Sequence, residues 1–299
     1  MELHKIKGNT YYINSPTNIG VYVFKNKFCM LIDSGINSSA AKKFDEVLKS
    51  NKLHPKYIVN THSHYDHCGG NQYFKDNYSG TLIYTSKKEK VYIENPELHP
   101  ITLFSSNPPR ELSENTKPIM VDYILEYGTN KINDEKFEIF SLAGHSQEHI
   151  GIITPEKVCF LGDGIFSSYT LDRYSLPFLF DIEKTLISLN NLKGVDADYF
   201  VISHGKGVLN KDELLELIDK NISNIQNHID NILVLLDQPC TREDILQNLI
   251  ILNDIKLNME SYLIHLASVS AFISYLLSKD LIQYSIEDGK LYYFKKYTI

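Results

Sequence analysis

Between positions 61 and 70 the chain reads Thr61-His62-Ser63-His64-Tyr65-Asp66-His67-Cys68-Gly69-Gly70, three histidines and an aspartate within six residues. Imidazole nitrogens and carboxylate oxygens are the donors that divalent cations take. Histidines at alternate positions of an extended segment project to one side, so His62 and His64 can reach one ion. Asp66 continues that phase and His67 follows it, which offers a second ion a pair of its own. The glycine pair is expected to turn the chain tightly into a helix over Asn71 to Asn77. A polar cluster this dense is costly to fold unless something binds it.

Matching donors recur in order along the chain, each just beyond a short apolar run: Leu31-Ile32-Asp33, Leu142-Ala143-Gly144-His145, Phe160-Leu161-Gly162-Asp163 and Val201-Ile202-Ser203-His204. Such a run reads as a strand, and the residue past its end sits where a rigid sheet holds functional groups. One Asp or His after a strand is an ordinary turn residue. Five such elements in sequence make a set.

Together these residues resemble the metallo-beta-lactamase superfamily, in its dinuclear hydrolase branch, over about residues 10 to 207. The resemblance implies an α/β fold, the four-layer αββα sandwich. It implies that His62, His64 and His145 hold a first metal, that Asp66, His67 and His204 hold a second, and that Asp163 bridges both. Asp33 would orient the histidine-rich loop, as outer carboxylates do. Three departures place the chain within the superfamily. Asp163 stands where zinc beta-lactamases of the commonest type carry Cys, and His64 stands where di-iron reductases of this fold carry a carboxylate. The stretch Gly144-His145-Ser146-Gln147-Glu148-His149 lacks the proline and second glycine of glyoxalase-II-like thioesterases. His149 is therefore expected as a buried supporting residue and not as a ligand.

The expected chemistry is hydrolysis. Two divalent ions about 3.5 to 4 Å apart lower the pKa of a bridging water, and one of them polarises the substrate carbonyl or phosphoryl oxygen. Such a metal-bridging hydroxide would cleave a small-molecule ester, thioester or lactone, with Asp66 relaying a proton to the leaving group. Zinc is the first expectation for these donors, which also suit iron or manganese.

The elements that position these groups follow from periodicity. Strands are expected at Tyr11 to Ile13, Gly20 to Lys25, Lys27 to Ile32, Tyr57 to Asn60, Phe137 to Leu142, Ile150 to Thr154, Val158 to Leu161 and Tyr199 to Ile202. Helices are expected at Ser38 to Ser50, capped by a serine, and at Ile182 to Leu192. Between Asn95 and Pro118 five prolines make regular structure improbable; in the family this region often overlies the metals. The aromatic segment Ser167 to Phe180 is a second candidate wall, with Tyr169 and Tyr174 the first side chains to test.

Beyond His204 the composition changes, which sets a catalytic unit at 1–207 and a C-terminal unit at 208–299. Leu214, Ile218, Ile222, Ile225, Ile229, Ile232 and Leu236 mark one amphipathic helix whose stripe packs on its own domain or forms the seam of a homodimer. Further helices, from Thr241 to about Leu252 and from Met259 to Ser278, precede a hairpin about Asp288-Gly289. Helix, helix and hairpin resemble a winged-helix unit. That raises the alternative of a ribonuclease or other nucleic-acid-processing phosphodiesterase. Charge argues against it: residues 206–299 carry 13 Asp and Glu against 9 Lys and Arg, and the stretch from Met259 to Ser278 has no Lys or Arg. Phosphate binding needs several cations.

The remaining composition is that of an ordinary globular protein, 43% hydrophobic and 22% charged, and a net charge of −7 gives no general attraction to nucleic acid or anionic membrane. Cys29, Cys68, Cys159 and Cys240 show no paired spacing and read as reduced thiols of a cytoplasmic protein. No apolar leader opens the chain. The most apolar stretch, Tyr262 to Leu277, is shorter than a membrane span and reads as a buried helix.

Overall fold

In the strand Phe28-Cys29-Met30-Leu31-Ile32, Cys29 and Leu31 belong to one buried apolar cluster while Met30 and Ile32 belong to another. A strand apolar on both faces must lie between two cores. The computed structural model, which describes residues 1–113, 117–173, 176–205 and 207–296, shows what supplies them. One sheet has seven strands in chain order: β1 (Leu3–Lys7), β2 (Thr10–Ile13), β3 (Ile19–Val23), β4 (Phe28–Ile32), β5 (His54–Val59), β6 (Leu82–Thr85) and β7 (Tyr123–Ile124). The other has six: β8 (Gly128–Ile132), β9 (Glu135–Ser141), β10 (Ile150–Ile153), β11 (Val158–Phe160), β12 (Tyr199–Val201) and β13 (Val208–Leu209).

Tyr22, Met30 and Ile32 of the first sheet meet Phe137, Ile152 and Phe160 of the second in the central core. The sheets come so close at Gly20 that a Cβ there would lie 2.5 Å from the Phe160 ring. Helices α1 (Ser38–Ser50), α2 (Tyr65–Cys68), α3 (Asn71–Asn77), α4 (Lys87–Glu94), α5 (Leu98–Phe104) and α6 (Ser168–Arg173) precede α7 (Ile182–Leu192) in the chain. Phe44 and Leu48 of α1 and Phe74 of α3 cover the outer face of the first sheet. Leu189 and Leu192 of α7, with Leu214 and Ile218 of α8 (Lys211–Leu235), cover that of the second. This is the αββα sandwich. The cap of α1 is Asn37 and not a serine: its side chain accepts the Ala40 N–H. Either residue type can fill that role.

The expected lapse over 95–118 is corrected by α5 and a 3₁₀ turn at Arg110–Leu112. Pro96 precedes α5 and Pro100 lies in its first turn, where a proline's missing N–H has no helical partner to lose.

After α8 come α9 (Arg242–Leu252), α10 (Met259–Ser278) and the hairpin of β14 (Ile282–Glu287) and β15 (Lys290–Lys295). Asp288 and Gly289 both have positive φ, as a two-residue hairpin turn requires. The α8 stripe is buried within this chain, in an apolar cluster that also contains Leu142 and Phe200 of the sandwich and Val269 and Phe272 of α10. At 20 residues α10 is long and apolar enough to cross a membrane by length and composition, which corrects the shorter span read from the sequence. It packs on α9, α5 and α7.

Candidate metal centre

Parallel pairing gathers the donors. Strands β4 and β5 run side by side in the same direction, so Asp33 and Thr61 emerge together, and β11 and β12 do the same for Asp163 and His204. The carboxyl ends of parallel strands are where such folds place their ligands.

His64 lies on extended backbone and His62 at a bend before it, but α2 starts at Tyr65, so Asp66 and His67 project from a helical turn and do not continue the alternation. The glycine pair also acts differently from the expectation. Both residues are right-handed helical, and a Cβ would lie 2.1 Å from the Ile36 carbonyl oxygen at Gly69 and 2.1 Å from that of Ser34 at Gly70. Close packing demands glycine here; turning does not.

Hydrogen bonds fix the imidazole tautomers. Asp33, itself at φ 65°, accepts the Thr61 N–H at 2.8 Å, the Thr61 hydroxyl at 2.9 Å and His67 Nδ1–H at 2.7 Å. Having donated to Asp33, Thr61 Oγ1 accepts His62 Nδ1–H at 3.0 Å. His145 Nδ1–H donates to the Phe178 carbonyl at 3.0 Å, and His204 Nδ1–H to that of Pro16 at 2.8 Å. Each of these four histidines thereby turns its Nε2 toward the site.

Two groups of donors result, His62 with His64 and His145, and Asp66 with His67, Asp163 and His204; in each, all donor atoms lie within 4.8 Å of one another. His64 Nδ1 stands 3.0 Å from His62 Nε2 and 2.9 Å from His145 Nε2. One proton on His64 can satisfy only one of those lone pairs. An ion with bonds of about 2.0–2.1 Å in tetrahedral array spaces its ligands roughly 3.3 Å apart, close to what is found. In the second group His67 Nε2 is buried without a hydrogen bond, 3.4 Å from Asp66 Oδ2 and 3.5 Å from Asp163 Oδ1. Asp163 Oδ2 lies 3.5 Å from His145 Nε2 and 3.4 Å from His204 Nε2, so this carboxylate faces both groups. The donor set fits divalent metal ions.

Charge divides along the same line. Burial and the surrounding histidines push His62 well down, and burial with His145 does so to His64; burial lowers His145 as well, so the first group is neutral. Burial alone would lower His67, but Asp66, Asp163 and Asp33 raise it well above the usual range. His204, likewise opposed by burial, is raised to about 10, chiefly by Asp163. Against the rise that burial would cause, His67 holds both Asp66 and Asp163 well below the ordinary carboxylate range.

His149 is fully buried, accepts the Asp163 N–H on Nε2 at 3.0 Å and stacks on the His62 ring. Cys68 is buried; its thiol donates to the Ser63 carbonyl, and burial pushes it up to about 12. Glu89 went unnoticed in the sequence. It is buried in α4, where Oε2 accepts the Ser63 N–H at 3.0 Å and hydroxyl at 2.6 Å, and Oε1 accepts the Ser146 hydroxyl at 2.7 Å and the Glu148 N–H at 2.9 Å. One carboxylate thus ties the loop of His62 and His64 to the loop of His145. The only hint was its acidity within Lys87-Lys88-Glu89-Lys90, a run that otherwise reads as a solvated helix face.

Above the donors opens a cavity of about 360 Å³ with His64, Asp66, His145 and Asp163 in its floor. Helix α5 supplies His99 and Leu103 to its wall, and α10 supplies Glu260, Leu263 and Ile264. His99 Nε2–H donates to the Ser63 carbonyl at 3.1 Å. Phe178 and Phe180 are the wall residues of the aromatic segment. Tyr169 instead is exposed and accepts a hydrogen bond from Arg173 at 2.7 Å, away from the cavity lining, and Tyr174 lies outside the described residues.

Comparison with known proteins follows this geometry. The family model described as the metallo-beta-lactamase superfamily matches residues 13–204. A hydroxyacylglutathione hydrolase from Pelagibacter ubique (strain HTCC1062) is 28% identical over 201 residues, 62% of this chain and 72% of that one. Another hydroxyacylglutathione hydrolase, from Prochlorococcus marinus (strain MIT 9312), is 27% identical over 145 residues, and the chain spans only 48% of its length. Among solved structures, a metallo-beta-lactamase family protein from Thermus thermophilus has a TM-score of 0.76 at 18% identity, over 96% of this chain and 99% of that one. That likeness shows the fold, the C-terminal helices included.

Proposed function

The chain belongs to the metallo-beta-lactamase superfamily and is a metal-dependent hydrolase, and from that premise we propose that it holds two divalent ions, zinc first, and cleaves a small ester, thioester or lactone. The carrying observation is the pair of donor groups that Asp163 joins in the floor of a small cavity. His62, His64 and His145 would hold one ion; Asp66, His67 and His204 the other, with Asp163 between. When bound, such ions acidify water and polarise a carbonyl oxygen.

The protein's own residues do the rest. Asp33, Thr61, Phe178 and Pro16 hold the Nδ1 atoms of His67, His62, His145 and His204, so these four donors need not reorient on loading. Asp66 meets Thr17, His67 and His204 through Oδ2, and among the described residues Oδ1 makes no hydrogen bond. That Oδ1 receives the proton lost by the attacking water and passes it to the departing alcohol or thiol as the acyl C–O or C–S bond breaks. The thioester member of the set agrees with the hydroxyacylglutathione hydrolases to which the chain is similar.

Zinc-loaded protein assayed on acyl thioesters, aryl esters and lactones is expected to turn over at least one class. Asp66→Asn should lower kcat by about 10²-fold or more, the scale of a lost proton relay, with the fold retained by circular dichroism. Wild-type protein inert to every carbonyl substrate would overturn the reading, and an Asn variant of full activity would overturn the role of Asp66.

A further inference from the structure

The cavity's walls and floor differ in chemistry. Its charged members are carboxylates, Asp66, Asp163, Glu89 and Glu260, and no Lys or Arg lines it among the described residues. Leu103 of α5, Leu112, and Leu263 and Ile264 of α10 line the cavity together with Phe178. The volume is at the small end of ligand sites, which run roughly 300–1,000 Å³. A phosphate or carboxylate on the substrate, beyond the group at the metals, would be buried against leucine and phenylalanine with no Lys or Arg among the described lining residues to pair it, an outcome that buried charge does not tolerate. Exposed Glu260 in the first turn of α10 adds repulsion for anions.

Helix α10 is also mechanically part of the site. Its buried Ser268 Oγ accepts the Leu179 N–H at 3.3 Å, and the neighbouring Phe178 carbonyl accepts His145 Nδ1–H. The C-terminal helices therefore support the same loop that supports a donor histidine.

Resting on the carbonyl-hydrolase reading, we propose that the substrate carries an uncharged apolar acyl chain, and that Leu263, Ile264 and Glu260 of α10 select it over acyl groups bearing an anion. The chain would lie between α5 and α10 with its carbonyl at the floor. Hydrolysis adds water across the acyl bond, giving the carboxylic acid and the free alcohol or thiol. The two glutathione carboxylates would have no cationic partner in the lining, so the specificity departs from what the names of the curated relatives describe.

The test uses zinc-loaded full-length protein with p-nitrophenyl acetate, butyrate, hexanoate and octanoate, and with the mono-p-nitrophenyl ester of adipic acid. In parallel, calorimetry follows binding of octanamide, which reads the cavity without turnover. Expected are a kcat/KM that climbs roughly fourfold per added methylene until the cavity is filled, and an adipate ester at least tenfold poorer than the hexanoate. Ile264→Ala should flatten the climb and weaken octanamide; Glu260→Lys, at an exposed position, should narrow the gap between hexanoate and adipate esters. Turnover with a flat chain-length profile, or a preference for the adipate ester, overturns the proposal. Octanamide binding displaced by single-stranded RNA overturns it too. Octanamide binding that Ile264→Ala weakens, with no ester, thioester or lactone turned over, supports the apolar site while removing the carbonyl-hydrolase reading.

Discussion

The floor and the roof of one cavity are built on opposite plans. Floor donors stand at or just beyond strand ends, and three of them are clamped by a hydrogen bond to a neighbouring segment: His67 by Asp33, His145 by Phe178, His204 by Pro16. Roof residues come from α5 and α10, more than 150 positions apart in the chain, and their apolar surface meets the cavity at Leu103, Leu263 and Ile264, with His99 and Glu260 as polar members. Directional bonds hold lone pairs at fixed spacing, which metal binding needs; apolar packing is nondirectional and tolerates substitution of similar volume. Chemistry is thus assigned to the part that cannot vary and selectivity to the part that can.

The sharpest way to break that division is to damage each side singly. Chelator-treated protein and His67→Ala are expected to fall to background hydrolysis in an ester assay, because the donor set is incomplete. Ile264→Ala should keep its full metal content by atomic absorption and alter only the chain-length profile. Equal loss in both would mean that α10 is part of the floor.

Glu89 sits at the join. Glu89→Gln puts an amide N–H₂ where an acceptor is needed, leaving two of the donors from Ser63, Ser146 and Glu148 without an acceptor. Outer partners of metal ligands typically carry 10–100-fold in affinity or activity, so a loss of about that size is expected in zinc affinity, measured by competition with a chromophoric chelator. A variant that binds zinc like the wild type would move Glu89 to a purely structural place in α4.

Legibility divides in the same way. His62, His64, His67, His145 and His204 were readable because few residue types bind metals, and because each followed a short apolar run that reads as a buried strand. Asp66 was readable as a donor, but its backbone was not: the switch from strand to helix at Tyr65 is a local conformational choice that alternation cannot show. Leu263 and Ile264 were invisible for a different reason. In an amphipathic helix a leucine facing a cavity and a leucine facing a core have the same spacing, and only long-range packing tells them apart. The prolines of 95–118 misled because a proline in a first helical turn looks, one residue at a time, like a proline in a loop.

A smaller effect tests the charge division within the floor. His67 and His204 lie above their ordinary range in the metal-free protein, so near pH 7 both are protonated, while His62, His64 and His145 are already neutral. Metal ligation requires the neutral imidazole. Loading the second group must therefore expel protons and loading the first need not. Zinc calorimetry at pH 7 in buffers of different ionisation enthalpy should show proton release for one binding phase, reduced in His204→Ala, where only His67 is left to give up a proton. Equal release in both phases would contradict the division.

The finest probe is the polar link from α10 to the loop that supports His145. Ser268→Ala removes the oxygen that accepts the Leu179 N–H inside the apolar cluster. An unpaired buried N–H costs about 1–3 kcal/mol, which should appear as a lowered midpoint in urea. If floor and roof are independent, metal content and kcat for the acetate ester stay at wild-type values, since a two-carbon acyl group does not reach α10. The octanoate ester should lose its advantage by a few fold as Ile264 shifts. A fall in zinc affinity would instead show that α10 holds His145 in place through Leu179 and Phe178. The C-terminal helices would then set both what binds and how firmly the metal is kept.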